Sequence, residues 1–128
     1  MILFFNTEEL PAGKNLENRI KKHLNEKNCP GLVYCRNFIA LAGHLALQMS
    51  EISLALLIVS DEREFDLFMQ FSCNLRELKH ILVLPEHDES LIAKAHLLEP
   101  RFLTTLEDNP RNLVEVFKKS MEIHAPRQ

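Results

Sequence analysis

The feature that most constrains this chain is an alternation of short, unbroken apolar runs with longer stretches of helical spacing. Ile2-Leu3-Phe4-Phe5 is too short for a helix and is expected as a buried strand. Leu16, Ile20 and Leu24 then form one apolar stripe among Lys and Glu, the pattern of an amphipathic helix. Asn28-Cys29-Pro30-Gly31 is a turn signal, and Leu32-Val33-Tyr34-Cys35 a second strand. Phe38, Leu41, Ala42, Leu45 and Met49 fall at helical spacing. Leu54 to Val59 is continuously apolar and predicts a strand covered on both faces. The acidic run Asp61-Glu62-Arg63-Glu64 suits a helix start, after which Leu67, Phe68, Phe71 and Leu75 would bury one side of a single helix. Ile81 to Leu84 is a fourth strand. Asp88 or Ser90 can cap a helix carrying Leu91, Ala95 and Leu98, which Pro100 ends. Phe102 to Thr105 is a fifth strand, and Pro110 opens a last helix with Leu113, Val114, Phe117 and Met121 inward.

Five strand–helix units in a row imply an α/β fold: a parallel sheet, right-handed crossovers and helices on both faces. The expected form is a flavodoxin-like (βα)5 three-layer sandwich with strand order 2-1-3-4-5. A chain of 128 residues fits one such domain, expected over 1–124 with a short tail at 125–128. Ligands of these sheets bind beyond the carboxyl ends of the strands. That places attention on Asn6, Thr7 and Glu8 after strand one, Ser60 and Asp61 after strand three, Pro85 and Glu86 after strand four, and Thr105 and Leu106 after strand five.

Composition removes several classes of function. A formal net charge of −3 argues against a nucleic-acid binder, and the densest basic cluster, Arg19, Lys21, Lys22 and His23, fits the wet face of a helix. Three cysteines are too few and too irregular for a disulfide framework or a zinc site, so no metal or cofactor is expected. A small link between Cys29 and Cys35 is open to them but carries little weight. The N-terminus has no basic region or cleavage site, and Phe38–Met49 is too short to span a bilayer. The expectation is a soluble, cytoplasmic protein with no membrane contact.

With the strand ends aligned, the chain resembles the response-regulator receiver domain of two-component signalling. The resemblance rests on Ile2-Leu3-Phe4-Phe5-Asn6-Thr7-Glu8, and on the run from Leu84-Pro85-Glu86-His87-Asp88 through Phe102-Leu103-Thr104-Thr105-Leu106 to Leu113. It covers nearly the whole chain. In such domains an acidic pair after strand one and an Asp after strand three hold Mg²⁺. That Asp takes the phosphoryl group, and a Ser or Thr after strand four and a Lys after strand five read the phosphorylated state. The resemblance therefore implies a degenerate pocket here. Asn6 and Thr7 remove both charges, Pro85 offers neither hydroxyl nor N–H, and Thr105 stands where the Lys would be. Ser60 and Asp61 compete for the acceptor position. Mg²⁺ wants several carboxylate oxygens and the moving phosphoryl needs positive charge, so no catalytic residue is expected; any residual acceptor activity would fall to Asp61.

The remaining features read as structural. His87 sits beside Glu86 and Asp88 on the functional edge, without a second His at helical spacing. His44 is expected as a surface or partly buried helix residue, and Cys35 and Cys73 as inert thiols in or near the core. Phe65 and Met69 are expected at the edge of their helix, because one face cannot bury them together with Leu67, Phe68 and Phe71. The resemblance points to the fourth predicted helix, strand five and the last helix as a contact face for a protein partner or homodimer, carrying Lys94, Arg101, Arg111, Glu115, Lys118 and Lys119. The sequence thus predicts a phosphorylation-independent receiver-like regulatory module acting by protein–protein interaction. The alternative is a small enzyme, phosphocarrier or ligand-binding domain using Asp61, His87 or Glu8 at the strand ends.

Overall fold

The structure, a computed structural model, describes residues 1–7, 11–26, 32–107 and 110–124. The expected tail at 125–128, Glu8 and the turn at Asn28–Gly31 with Cys29 lie outside the described residues. Five parallel strands form one sheet: β1 (Ile2–Phe5), β2 (Leu32–Cys35), β3 (Leu54–Ile58), β4 (His80–Leu84) and β5 (Phe102–Thr105), in the order β2-β1-β3-β4-β5. The register sets Phe5 between Cys35 and Leu57, and Leu84 beside Thr105, so the strands end close to one level. This is the flavodoxin-like sandwich that the alternation predicts.

Side chains alternate across a strand, so β1 sends Leu3 and Phe5 to one face and Ile2 and Phe4 to the other. On the first face lie α2 (Phe38–Leu47), α3 (Glu62–Met69), α4 (Ser72–Glu77) and α5 (Glu89–Ala95). On the second lie α1 (Pro11–Glu26) and α6 (Pro110–His124). Among the described residues, three helices start at a side chain that accepts an amide N–H of the first turn. Asn37 accepts from Ala40 at 2.8 Å, Asp61 from Glu64 at 2.7 Å and Asp88 from Leu91 at 3.1 Å. Asp88, not Ser90, is thus the cap of α5. A short 3₁₀ turn over His96–Leu98 follows it, and Leu98 is buried there.

The segment after β3 differs from expectation. It is two helices, α3 and α4, because Gln70 and Phe71 bond back onto the carbonyls of Leu67 and Phe68 at 3.2 and 2.9 Å and break the helical ladder. The break changes which residues go inward. Phe65 and Phe68, three apart on α3, are fully buried, while Leu67 falls off their stripe and is exposed. The expected placing of Phe65 at the helix edge and Leu67 in the core is therefore reversed. Cys73, expected in or near the core, is exposed on α4. Cys35 is a free core thiol, which burial pushes up to about 11. Among the described residues no helix is long and apolar enough to cross a membrane.

Candidate functional site

The carboxyl ends of the strands present polar side chains whose partners are close at hand. Asn6 continues past β1, its N–H donating to the Cys35 carbonyl at 3.1 Å. Its side chain is buried against Gly13 in the first turn of α1, where an added Cβ would stand 3.2 Å from both Oδ1 and Nδ2. Thr7 follows, with a buried hydroxyl that has no hydrogen-bond partner among the described residues. Beside them, Glu17 of α1 is almost fully buried and accepts two bonds from Arg36 at the end of β2, at 3.0 and 2.6 Å. The same guanidinium lies over the Tyr34 ring, 4.8 Å from its centroid. A buried carboxylate and a cation thus do occur near this edge, each fixed on the other.

At the end of β3, Ser60 and Asp61 take different places. The ladder reaches Val59, whose N–H donates to the Val83 carbonyl at 2.8 Å, so Ser60 is the first residue beyond it. Asp61 is the exposed N-cap of α3. Glu64 folds back from the first turn of that helix. Its carboxylate accepts the Ser60 hydroxyl at 2.6 Å and the Ser60 N–H at 3.2 Å. This is a capping box with the return bond shifted one residue upstream. Glu64 is only 8% exposed, so its charge is satisfied by donors of the strand-end turn.

The ends of β4 and β5 form a third group. Pro85 is half-buried, and Glu86 and His87 are exposed. The His87 ring meets the Thr105 hydroxyl through Nε2 at 3.2 Å, and the His87 backbone N–H donates to the Glu107 carboxylate at 3.3 Å. Thr105 itself is buried, and Leu106 continues the ladder by donating to the Leu84 carbonyl at 2.8 Å. The structure therefore gathers sequence-predicted residues into separate small networks, one at the ends of β1 and β2, one within the β3–α3 turn and one at the ends of β4 and β5. Among the described residues no three His, Cys, Asp or Glu side chains come together in the manner of metal ligands. Such an edge can hold loops rigid and present a fixed surface.

Sequence reasoning passed over Glu17, Arg36, Gly13 and Glu64 as participants. The Asp61-x-x-Glu64 spacing was a usable signal for the last of these. The proposed contact residues lie on either side of the edge strand β5. Lys94 on α5 pairs with Glu62 of α3 at 2.7 Å, on the first face of the sheet. Arg101 is exposed just before β5, its N–H on the His80 carbonyl at 2.8 Å. Arg111, Glu115 and Lys118 lie on α6, over the opposite face, and line a groove shared with α1. Lys119 beside them is exposed.

Comparison with known proteins adds fold and little else. No protein-family model matches the chain, and no curated protein matches it in sequence. Among solved structures, the chain is similar to a protein of Burkholderia pseudomallei K96243 described as pilus assembly-related. The TM-score is 0.65 at 13% identity, covering 99% of this chain and 92% of that one. At that identity the likeness shows the shared α/β architecture alone.

Proposed function

We propose that this chain is a receiver-like signalling or regulatory module that acts by protein contact and does not pass through a phosphorylated state. The observation that carries the reading is the closed network at the end of β3. There Asp61 is spent on capping α3 and Glu64 is turned back onto Ser60. A phosphoryl acceptor needs its carboxylate aimed outward at a metal held by further carboxylates. Asn6 and Thr7 supply no charge for that metal, and Thr105 supplies no cation for the product. The partner would be another protein or a second copy of the chain, in the cytoplasm. The likeness to a pilus assembly-related protein supports this reading to the extent that the same fold serves there in an assembly context.

The test is incubation with acetyl phosphate and Mg²⁺, followed by intact mass and a proton–nitrogen correlation spectrum. The expected result is an unchanged mass and spectrum. A stoichiometric aspartyl adduct would overturn the reading. A second reading, phosphate carriage on His87, draws on its ring contact with the buried Thr105 hydroxyl. An acid-labile adduct that disappears in His87→Ala would establish that reading instead.

A further inference from the structure

The groove between α1 and α6 carries a local charge that runs against that of the chain as a whole. It has a volume of about 680 Å³, within the range of ligand-binding clefts, and lies open along the helix seam. Arg19 and Lys22 line it from α1, and Arg111 and Lys118 from α6. Among the described residues the lining thus carries four cations and one carboxylate, Glu115, in a protein of formal net charge −3. Val114 adds an apolar side chain to the lining. Asn15 accepts from the Arg19 Nε at 3.3 Å, which steadies that guanidinium. Lys118 reaches Glu115 only at 3.5 Å with both side chains well exposed, a weak pair that a stronger anion would displace.

We propose that this groove docks an acidic segment of a partner protein. Arg19 and Lys22 stand one turn apart, and Arg111 and Lys118 two turns apart, so the cations extend over about 10 Å of helix. Carboxylates repeated at helical spacing on a partner would meet both walls at once, with an apolar residue against Val114. A second copy of the chain is a poor occupant, because a two-fold contact would set the same cations against each other. Nucleic acid is disfavoured by the acidic whole and by the absence, among the described residues of the lining, of an aromatic side chain for bases to stack on. The inference rests on the protein-contact reading and gives it a location.

The experiment uses the full chain and a fluorescein-labelled, glutamate-rich helical peptide, with its glutamine counterpart as the uncharged probe. Anisotropy is read at two salt concentrations. The expected result is binding of the glutamate peptide only, weakened by salt. Arg19→Glu/Lys22→Glu and Arg111→Glu/Lys118→Glu should each weaken it by about tenfold or more. Arg63→Glu/Arg76→Glu, exposed on the other layer, makes the same charge change and should leave affinity within about twofold. The two groove variants sit on different helices, so misfolding of one leaves the other as a test. Failure of the glutamate peptide to bind at low salt would overturn the proposal. So would equal loss in the control variant, or tighter binding of a single-stranded oligonucleotide of matched charge. None of these touches the phosphoryl experiment, so the groove can fail while the contact module stands.

Discussion

The two faces of the sheet are built by different means. On the face covered by α2 to α5, aromatic rings interlock. Phe5 lies 4.8 Å from Phe38 and 4.9 Å from Phe68, and Phe38 and Phe68 are themselves 4.9 Å apart. On the face covered by α1 and α6, the core is Leu16, Ile20, Leu113 and Phe117 against Phe4 and the β-strand aliphatics. The outer surfaces diverge too. The helix α2 is apolar nearly all round, with Ile39 and Leu47 about 85% exposed, whereas α1 and α6 turn charged residues outward along their seam. One layer invests in ring packing, and the other leaves a cationic groove. This comparison makes the largest prediction. Phe68→Ala should cost about 3–5 kcal/mol, and should exceed Ile20→Ala in the core of the other face by about 0.5–1.5 kcal/mol of lost ring pairing. Urea unfolding of both variants measures the difference; a smaller loss for Phe68→Ala would dissolve the contrast.

The α1 layer has its own internal anchor, and it is electrostatic. Glu17 is buried while the Arg36 side chain is about one-third exposed, so solvent screens the cation but not the carboxylate. Removing the carboxylate leaves a half-buried guanidinium without its bidentate partner. Glu17→Ala is expected to cost about 2 kcal/mol, below the value for a fully buried pair because Arg36 can rehydrate. Glu17→Gln should recover part of the loss. Denaturation of the pair of variants would show it, and equal loss in both would mean that packing, not charge, sets the cost.

The next prediction concerns pH and belongs to the aromatic face. His80 opens β4 on the same side as Leu82 and Leu84, and it is fully buried. Its Nδ1 donates to the Leu78 carbonyl at 2.9 Å, while Nε2 has no partner among the described residues. Burial pushes the ring below its ordinary value, the nearby carbonyls of Leu78 and Leu75 opposing this only in part. The folded state therefore holds a neutral ring and the unfolded state binds the proton more readily. Stability is complete above the unfolded value of about 6.5 and falls as pH drops from there towards the folded value. Thermal unfolding between pH 7.5 and 5 should show a decline that His80→Phe flattens. An unchanged slope in that variant would assign the decline to other groups.

Much of the fold was readable from local pattern because the apolar runs and helical stripes agree with the final topology. The strand runs Ile2–Phe5, Leu32–Cys35 and Phe102–Thr105 coincide with β1, β2 and β5, and the capping chemistry of Asp61 and Asp88 was visible in the residues themselves. The break between α3 and α4 was not, because no glycine or proline marks it and Phe65, Phe68 and Leu75 leave two readings of the stripe open. The place of the candidate site, beyond the carboxyl ends of the strands, was legible. Its positive content was not, since Glu17 and Arg36, or the two walls of the groove, meet only once α1 is set against its neighbours. Arg19 and Lys22 looked like an ordinary wet helix face. Their significance comes from Arg111 and Lys118 lying opposite.

The smallest expected effects come from two helical glycines, one in each layer, and they should differ in sign. Gly43 in α2 faces open space: a Cβ there would meet no atom within 4 Å. Gly43→Ala removes the backbone freedom of glycine from the unfolded chain at no steric cost and should stabilise by about 0.5–1 kcal/mol. Gly13 in α1 carries the same entropic penalty but lets Asn6 approach, and the added methyl would stand 3.2 Å from its carboxamide. Asn6 is 2% exposed and its N–H is fixed on the Cys35 carbonyl, so its side chain has little room to yield. Gly13→Ala should therefore gain nothing or lose up to about 1 kcal/mol, the steric term offsetting the helical preference for alanine. Thermal melts of the two variants under one buffer are enough to compare them. If Gly13→Ala stabilised as much as Gly43→Ala, the end of β1 would be loose rather than packed, and the rigidity of the strand-end edge would rest on the closed network at β3 alone.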